Sequence, residues 1–381
     1  MFKIPLPHKV NFSAFLPLHR FVTKTHISFV LVRLFFSKTS FGGPSFLYFI
    51  FLADFCHKPA NSLEKTPIPC YFNPQFTTEE FIMLNVPVTY LFDFDVVSPA
   101  ARPYIMQEFA DCGAEHLVLS DTLVKMIVAD PALADTLQKE MAENNLSFCD
   151  GHAPFGIYYD MHCPFPAMRK MMFARQKLTL EICSYMHVDT VTIHLGSTRV
   201  SPTNEIPVAV HLERVRETLS ELLPYAEKLG ITICIENSWY PLCTPENLLM
   251  LKAEFPSPNL GFCYDAGHAN IMDNGRKYSS GKAYDGWKTA GFNCMPPWEN
   301  RALEKMLPHI VNCHLHDNMG DFDTHTLPGK GNVNWNHILD TLALAPNLRV
   351  VQCEVIPAAN RIPISALTAF FSAVKIPRNS L

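Results

Sequence analysis

The feature that most restricts how this chain can fold is an alternation of two periodicities. From Val86 onward, short runs rich in β-branched and aromatic residues alternate with longer stretches whose apolar residues recur every three or four positions. Strand-like runs fall at residues 86–94, 115–121, 146–152, 189–196, 231–237, 260–267, 310–317 and 349–355. Between them lie helical patterns such as PALADTLQKEMAENN, FARQKLTLEICSYM, AVHLERVRETLSELLPYAEKLG and ALTAFFSAVK. Gly230 stands where a helix would end in a glycine cap, and Thr244-Pro245 reads as a helix start with proline in the first turn. Eight strand-then-helix units, with no second composition class among them, fit one closed (β/α)8 barrel better than an open sheet.

The first 82 residues do not share this pattern. They are rich in Phe, Pro and Lys, and their two apolar bursts, ISFVLVRLFF and SFLYFIFLADF, are too short or too interrupted to span a bilayer. We expect residues 1–82 to be an N-terminal extension outside the fold, with Met83 as the start of the natural product, and residues 83–381 to be the barrel. The segment holds eight of the chain's 31 Lys/Arg and four of its 36 Asp/Glu, so the remainder carries a net charge of about −9. An acidic body is a poor ligand for a phosphate backbone. The twelve cysteines are scattered, without Cys-x-x-Cys pairs, and several sit in apolar strand-like runs. They read as reduced and buried, which points to the cytoplasm and away from disulfide or zinc-finger chemistry. The connection from Ile271 to Pro297 is long for a loop and follows the sixth strand, where a lid or substrate-binding insertion is expected.

Barrel enzymes build their sites at the C-terminal ends of the strands. Here strand three ends at His152, strand four at His194, strand five at Glu236, strand six at Asp265 with His268 beyond, strand seven at His314 and His316, and strand eight at Glu354. One such residue would be an ordinary solvated strand end. Six successive strands ending this way point to a common site. Two Glu, one Asp and one His make a hard donor set suited to Mn, Mg, Co or Zn. Such an ion can grip two oxygens of a hydroxy-ketone and acidify the neighbouring C–H, and two glutamates on opposite walls could remove and return the proton. His314 and His316, two apart, point to the same face, so one can ligate while the other orients.

The strings VTIHLGS, ICIENSW, FCYDAGHAN, CHLHDNMGDFDTHTLPGKGNVNW and QCEV, in this order and at these strand ends, resemble the xylose-isomerase-like TIM-barrel superfamily, from Met83 to the end. That group holds sugar phosphate isomerases and epimerases as well as barrel-type apurinic endonucleases. The resemblance implies that Glu236, Asp265, His314 and Glu354 are the shared metal ligands and that Glu236 and Glu354 are also the catalytic acid/base pair. It implies further metal or substrate contacts at His152, His194, His268, Asp323 and His325, to which the strand spacing adds His316 as a possible metal or substrate contact.

The expected activity is a divalent-metal-dependent isomerisation or epimerisation of a small sugar or sugar phosphate through a metal-held cis-enediolate. Trp239 is expected to bind substrate by stacking on a sugar face. The alternative is an endonuclease-like phosphodiesterase with a multinuclear zinc site, disfavoured by the acidic body and by Thr324, where that family carries Arg. A third reading, a degenerate scaffold, conflicts with the intact ligand set. A homo-oligomer is left open, and no stable membrane association of the barrel is expected. Gly329 and Gly331 read as a turn, and Cys234 and Cys263 as barrel filler one layer below Glu236 and Asp265. Arg102, Lys125 and Lys170 read as solvated charges.

Overall fold

The computed structural model describes residues 86–196, 207–274, 277, 280–289 and 298–373. The expected extension over residues 1–82 lies outside the described residues. In chain order the elements are β1 (Val88–Tyr90), α1 (Arg102–Asp111), β2 (His116–Leu119), α2 (Asp121–Ala129), α3 (Leu133–Glu143), β3 (Ser147–His152), α4 (Pro166–Tyr185) and β4 (Thr190–Thr192). There follow α5 (Val208–Leu229), β5 (Thr232–Glu236), α6 (Pro245–Glu254), β6 (Leu260–Asp265), α7 (Ala266–Asn274), α8 (Lys282–Thr289) and α9 (Ala302–Met306). The last are β7 (Ile310–Leu315), α10 (Trp335–Leu342), β8 (Val350–Cys353), α11 (Pro357–Asn360) and α12 (Ile364–Ala373). The eight strands pair in parallel in sequence order, and β1 also pairs with β8, so the barrel closes. Closure leaves no unpaired edge.

Local chemistry sets the helix ends. Ser120 caps α2 by accepting the Leu123 amide, and Thr244 caps α6 by accepting that of Asn247, with Pro245 in the first turn. Gly230 closes α5 at φ +72°, a backbone state that glycine adopts without the steric cost of a Cβ. The core lies between strands and helices: Leu219 and Leu222 of α5, and Leu248 and Leu251 of α6, are wholly buried in one cluster with Ile233 and Ile235 of β5. Each such side chain contributes roughly 1.5–3 kcal/mol by leaving water.

The lumen is more polar than in most barrels of this kind. Thr89, Asp150, Thr190, Thr192, Asn312 and Gln352 are all fully buried, where branched aliphatic residues are the rule. Two bulges set the phase of the strands involved. On β3 the pairing with β2 skips Cys149, and on β7 the pairing with β6 skips Val311. An extra residue in a two-residue repeat re-aims the side chains beyond it. Asp150 and His152 on β3, and Asn312 and His314 on β7, thereby turn inward.

Two expectations need correction. The connection after strand six is not a loop from Ile271: the chain enters α7 at Ala266, and α8 occupies residues 282–289. The reason is local, because the Asp265 carboxylate accepts the His268 amide at 2.6 Å and so caps a helix directly at the strand end. Arg102 is not solvated either. It is 3% exposed and bound through two nitrogens to Glu140, at 2.5 and 2.9 Å. Lys125 and Lys170 are exposed, as expected. Among the described residues, no helix is long and apolar enough to cross a membrane.

Candidate metal centre at the barrel mouth

The strand ends bring four side chains to one point. Glu236 ends β5, Asp265 ends β6, His314 is the fifth residue of β7, and Glu354 follows β8. Asp265 and His314 are register partners across β6 and β7. His314 Nδ1 lies 2.7 Å from Glu236 Oε1, 3.3 Å from Glu354 Oε1 and 3.8 Å from Asp265 Oδ2. Donor atoms held about 2.0–2.2 Å from one ion are themselves about 3–3.5 Å apart, so this spacing suits convergence on a single cation. His316 lies on the same side, with Nε2 3.2 Å from the Asp265 carboxylate.

Two further groups adjoin this one. Asp323 Oδ2 lies 3.1 Å from His325 Nε2 and 3.5 Å from His268 Nε2, and the His316 and His325 rings stack at 3.9 Å. On the other side His194 Nε2 lies 3.1 Å from Glu236 Oε2, with the His152 and His194 rings 4.9 Å apart. The sets His152–His194–Glu236, Asp265–His268–His316 and His316–Asp323–His325 each present three donor atoms close enough to share an ion.

The electrostatics explain what such a cluster lacks. Burial pushes the Glu236 carboxyl up, but His314, His268 and the hydrogen bond with His194 outweigh it and hold the group well below the carboxylate range. Burial likewise opposes charge on His268, yet Asp265, Asp323 and Glu236 carry it well above the usual imidazole value. His325 is driven up to about 9 because Asp323 overcomes its burial. By contrast, burial and the neighbouring His194 and His314 rings push His152 down to about 4. Without a metal ion, then, the carboxylates must borrow positive charge from imidazoles. Among the described residues, four buried atoms here, His314 Nδ1, His316 Nδ1, Asp323 Oδ1 and Glu354 Oε2, make no well-aligned hydrogen bond. Buried polar atoms are rarely left so. A divalent cation fits the cluster on both counts.

The site opens into a cavity of about 490 Å³, lined among others by His152, Phe155, Asp160, His194, Glu236, Trp239, His268, Asp323, His325 and Glu354. Trp239 packs edge-to-face on the His268 ring at 4.7 Å, so it borders the cavity while fixing that imidazole. The fold thus brings the candidate residues read from the sequence together around one mouth.

Other contributors were not foreseen. Asp160, from the segment after β3, is buried in the cavity wall, where burial raises its pKa. Asn237 clamps the end of β6, accepting the Asp265 amide at 2.8 Å and donating to the Asp265 carbonyl at 3.0 Å. Its adjacency to Glu236 was the available signal. Cys263 packs with Cys234 and Val311 inside the barrel, as expected of filler, and its Sγ also lies 3.8 Å from Glu236 Oε1, close enough to stand in one donor set with Glu236 and His314. Asp317 organises the loop behind the site: its carboxylate accepts from the Asn318, Gly329 and Val333 amides and from Trp335 Nε1. Gly329, at φ +85°, makes the turn, and a Cβ on Gly331 would lie 2.1 Å from the Asn318 carbonyl oxygen.

Similarity to known proteins agrees with this architecture. An uncharacterized protein of Methanocaldococcus jannaschii, MJ1311, is 28% identical over 251 residues, 58% of this chain and 78% of that protein. The crystal structure of a D-tagatose 3-epimerase-like protein superposes with a TM-score of 0.57 at 21% identity, covering 76% of this chain and 96% of that one. An IOLI protein crystallised with a zinc atom gives a TM-score of 0.54 at 16% identity, over 76% and 96%. At these identities both structures speak to the fold. Residues 107–365 match the profile of the xylose isomerase-like TIM barrel family. That match begins within α1, takes in β2 through β8 and ends within α12, well over half of the chain, and the chain belongs to the xylose isomerase-like TIM barrel family.

Proposed function

We propose that this protein is a divalent-metal-dependent isomerase or epimerase of a small sugar or sugar phosphate. The observation that carries the reading is the approach of Glu236 and Glu354 to one imidazole nitrogen, His314 Nδ1, at 2.7 and 3.3 Å, with both residues lining one cavity. Glu236, Asp265, His314 and Glu354 would hold the ion, whether Mn, Mg, Co or Zn. When bound, the ion supplies positive charge that polarises a substrate carbonyl and acidifies the adjacent C–H. Glu354 removes that proton with its carboxylate, giving a cis-enediolate. Glu236 returns a proton from the β5 side. His194 and His268 position substrate hydroxyls, and Trp239 offers an apolar ring face to the sugar. The fold-level likeness to a D-tagatose 3-epimerase-like protein supports a ketose as the first substrate to try.

The test is solvent-proton exchange into a panel of keto-sugars and their phosphates in heavy water, with the metal-loaded protein. Glu354→Gln should abolish exchange while leaving sugar binding detectable; undiminished exchange in that variant removes Glu354 as the base. A second reading, metal-dependent phosphodiester hydrolysis, is supported by the extra donor sets at His152–His194 and His316–Asp323–His325. Metal content separates the two: one Mn, Mg or Co per chain fits the sugar enzyme, and three zinc ions fit the hydrolase.

A further inference from the structure

A chain of hydrogen bonds runs through the lumen below the mouth and ends on His314. It begins at Asp150, whose carboxylate accepts the Thr190 hydroxyl at 2.7 Å. Asn312 Nδ2 lies 3.2 Å from both Asp150 oxygens and 3.0 Å from Thr192 Oγ1. Thr192 Oγ1 in turn lies 3.3 Å from His314 Nε2. Asp150, Thr192, Asn312 and His314 are all fully buried, and the chain links β3 and β4 to β7 across the barrel interior, since β5 and β6 stand between β4 and β7 in the wall.

The directions of the bonds that Asn312 makes follow from what each group can do. A carboxylate only accepts, so the Asn312 amide must turn its nitrogen, not its oxygen, toward Asp150. That nitrogen carries two hydrogens; one goes to Asp150 and the other to Thr192 Oγ1. The threonine hydroxyl can both accept and donate, so the direction of the Thr192–His314 bond is set by the tautomer of the ring. At the other edge of the imidazole, Nδ1 faces Glu236, Glu354 and Asp265. A ring nitrogen that ligates a cation must present a lone pair, so the proton of the neutral ring has to sit on Nε2 and needs an acceptor there.

The geometry points to Asp150, Asn312 and Thr192 as positioning residues that hold His314 with its proton on Nε2, so that Nδ1 is presented to a divalent cation. This rests on the reading of His314 as a metal ligand. None of the three lines the cavity at the mouth, so they act through His314 and not on substrate. The bulges at Cys149 and Val311 acquire a purpose in this scheme, since they turn Asp150 and Asn312 toward each other.

The test is calorimetric titration of the metal-stripped full chain with Mn²⁺ and, separately, Zn²⁺, for wild type, Thr192→Val and Thr192→Ser. Valine keeps the shape and loses the acceptor, and should weaken binding roughly 10–100-fold. Serine keeps the hydroxyl and should stay within about threefold of wild type by the same reasoning, whatever small packing loss it causes. Asp150→Asn, which frees the Asn312 amide to turn over, should weaken binding in the same sense, and decides the matter if the valine variant does not fold. The relay is refuted if a folded Thr192→Val chain binds as tightly as wild type, or if serine fails to rescue. Wild type that binds neither ion would instead remove the metal reading itself, and the relay with it.

Discussion

His162 and His211 offer a quantitative check away from the metal centre. Their rings are 5.1 Å apart, both residues are at most 1% exposed, and burial holds both neutral. His162 donates from Nδ1 to the Leu195 carbonyl at 3.1 Å, but among the described residues its Nε2 and both nitrogens of His211 have no partner. Burial, reinforced by the facing His211 ring, pushes His162 down to about 3, and burial with Arg214 pushes His211 down to about 4. In the unfolded chain each titrates near 6.5. Between those values the unfolded state binds more protons than the folded one, so stability is whole above about 6.5 and is lost as pH falls below it. At pH 5 the loss is about 2 kcal/mol for each histidine, from about 1.5 pH units at 1.36 kcal/mol each. Against a total of about 5–15 kcal/mol that is a large fraction. The perturbation is His211→Leu, which gives up no hydrogen bond. Urea unfolding at pH 7 and pH 5, for wild type and variant, isolates the effect, because groups elsewhere cancel in the difference. The variant should lose about 2 kcal/mol less than wild type over that interval. An identical pH dependence in the two proteins would refute the reasoning.

Two other perturbations test how the scaffold supports the site. Arg102→Met strands Glu140 as an unpaired, part-buried carboxylate and should cost about 3–5 kcal/mol in chemical denaturation; adding Glu140→Leu should recover much of it, and additive losses would mean that the pair is not coupled. Asp317→Ala removes the carboxylate that accepts from three loop amides and from the Trp335 indole N–H, and at about 1–3 kcal/mol for a buried donor left unsatisfied it should loosen the segment that carries Asp323 and His325. Hydrogen exchange of residues 317–335 should accelerate while that of β4 and β5 stays slow.

Much of the site could be read in the chain because it is built from strand ends. A strand of period two that closes with a carboxylate or a histidine announces both its direction and its polar tip, and six strands did so. His268 and Asn237 were within reach for the same reason, lying one turn or one residue beyond a strand. Asp160 was not, since nothing in its neighbourhood marks the segment after β3 as lining a cavity. Arg102 was misread because a charged residue opening a helix is usually solvated, and only the approach of α3 supplies Glu140. The start of α7 was missed because Asp265 reads as a strand end, and its second role as a helix cap appears only when its oxygen meets the His268 amide.

What the sequence by itself determined is the eightfold alternation and the chemistry at each strand tip, because both depend on residues near in the chain. Only the tertiary structure decided which of those tips share a point, which imidazole nitrogen faces the carboxylates, and that Asp150 reaches Asn312 through the lumen. Those outcomes depend on barrel closure and on bulges at Cys149 and Val311 that shift a strand by one residue, and such a shift has no signature in a single strand read alone.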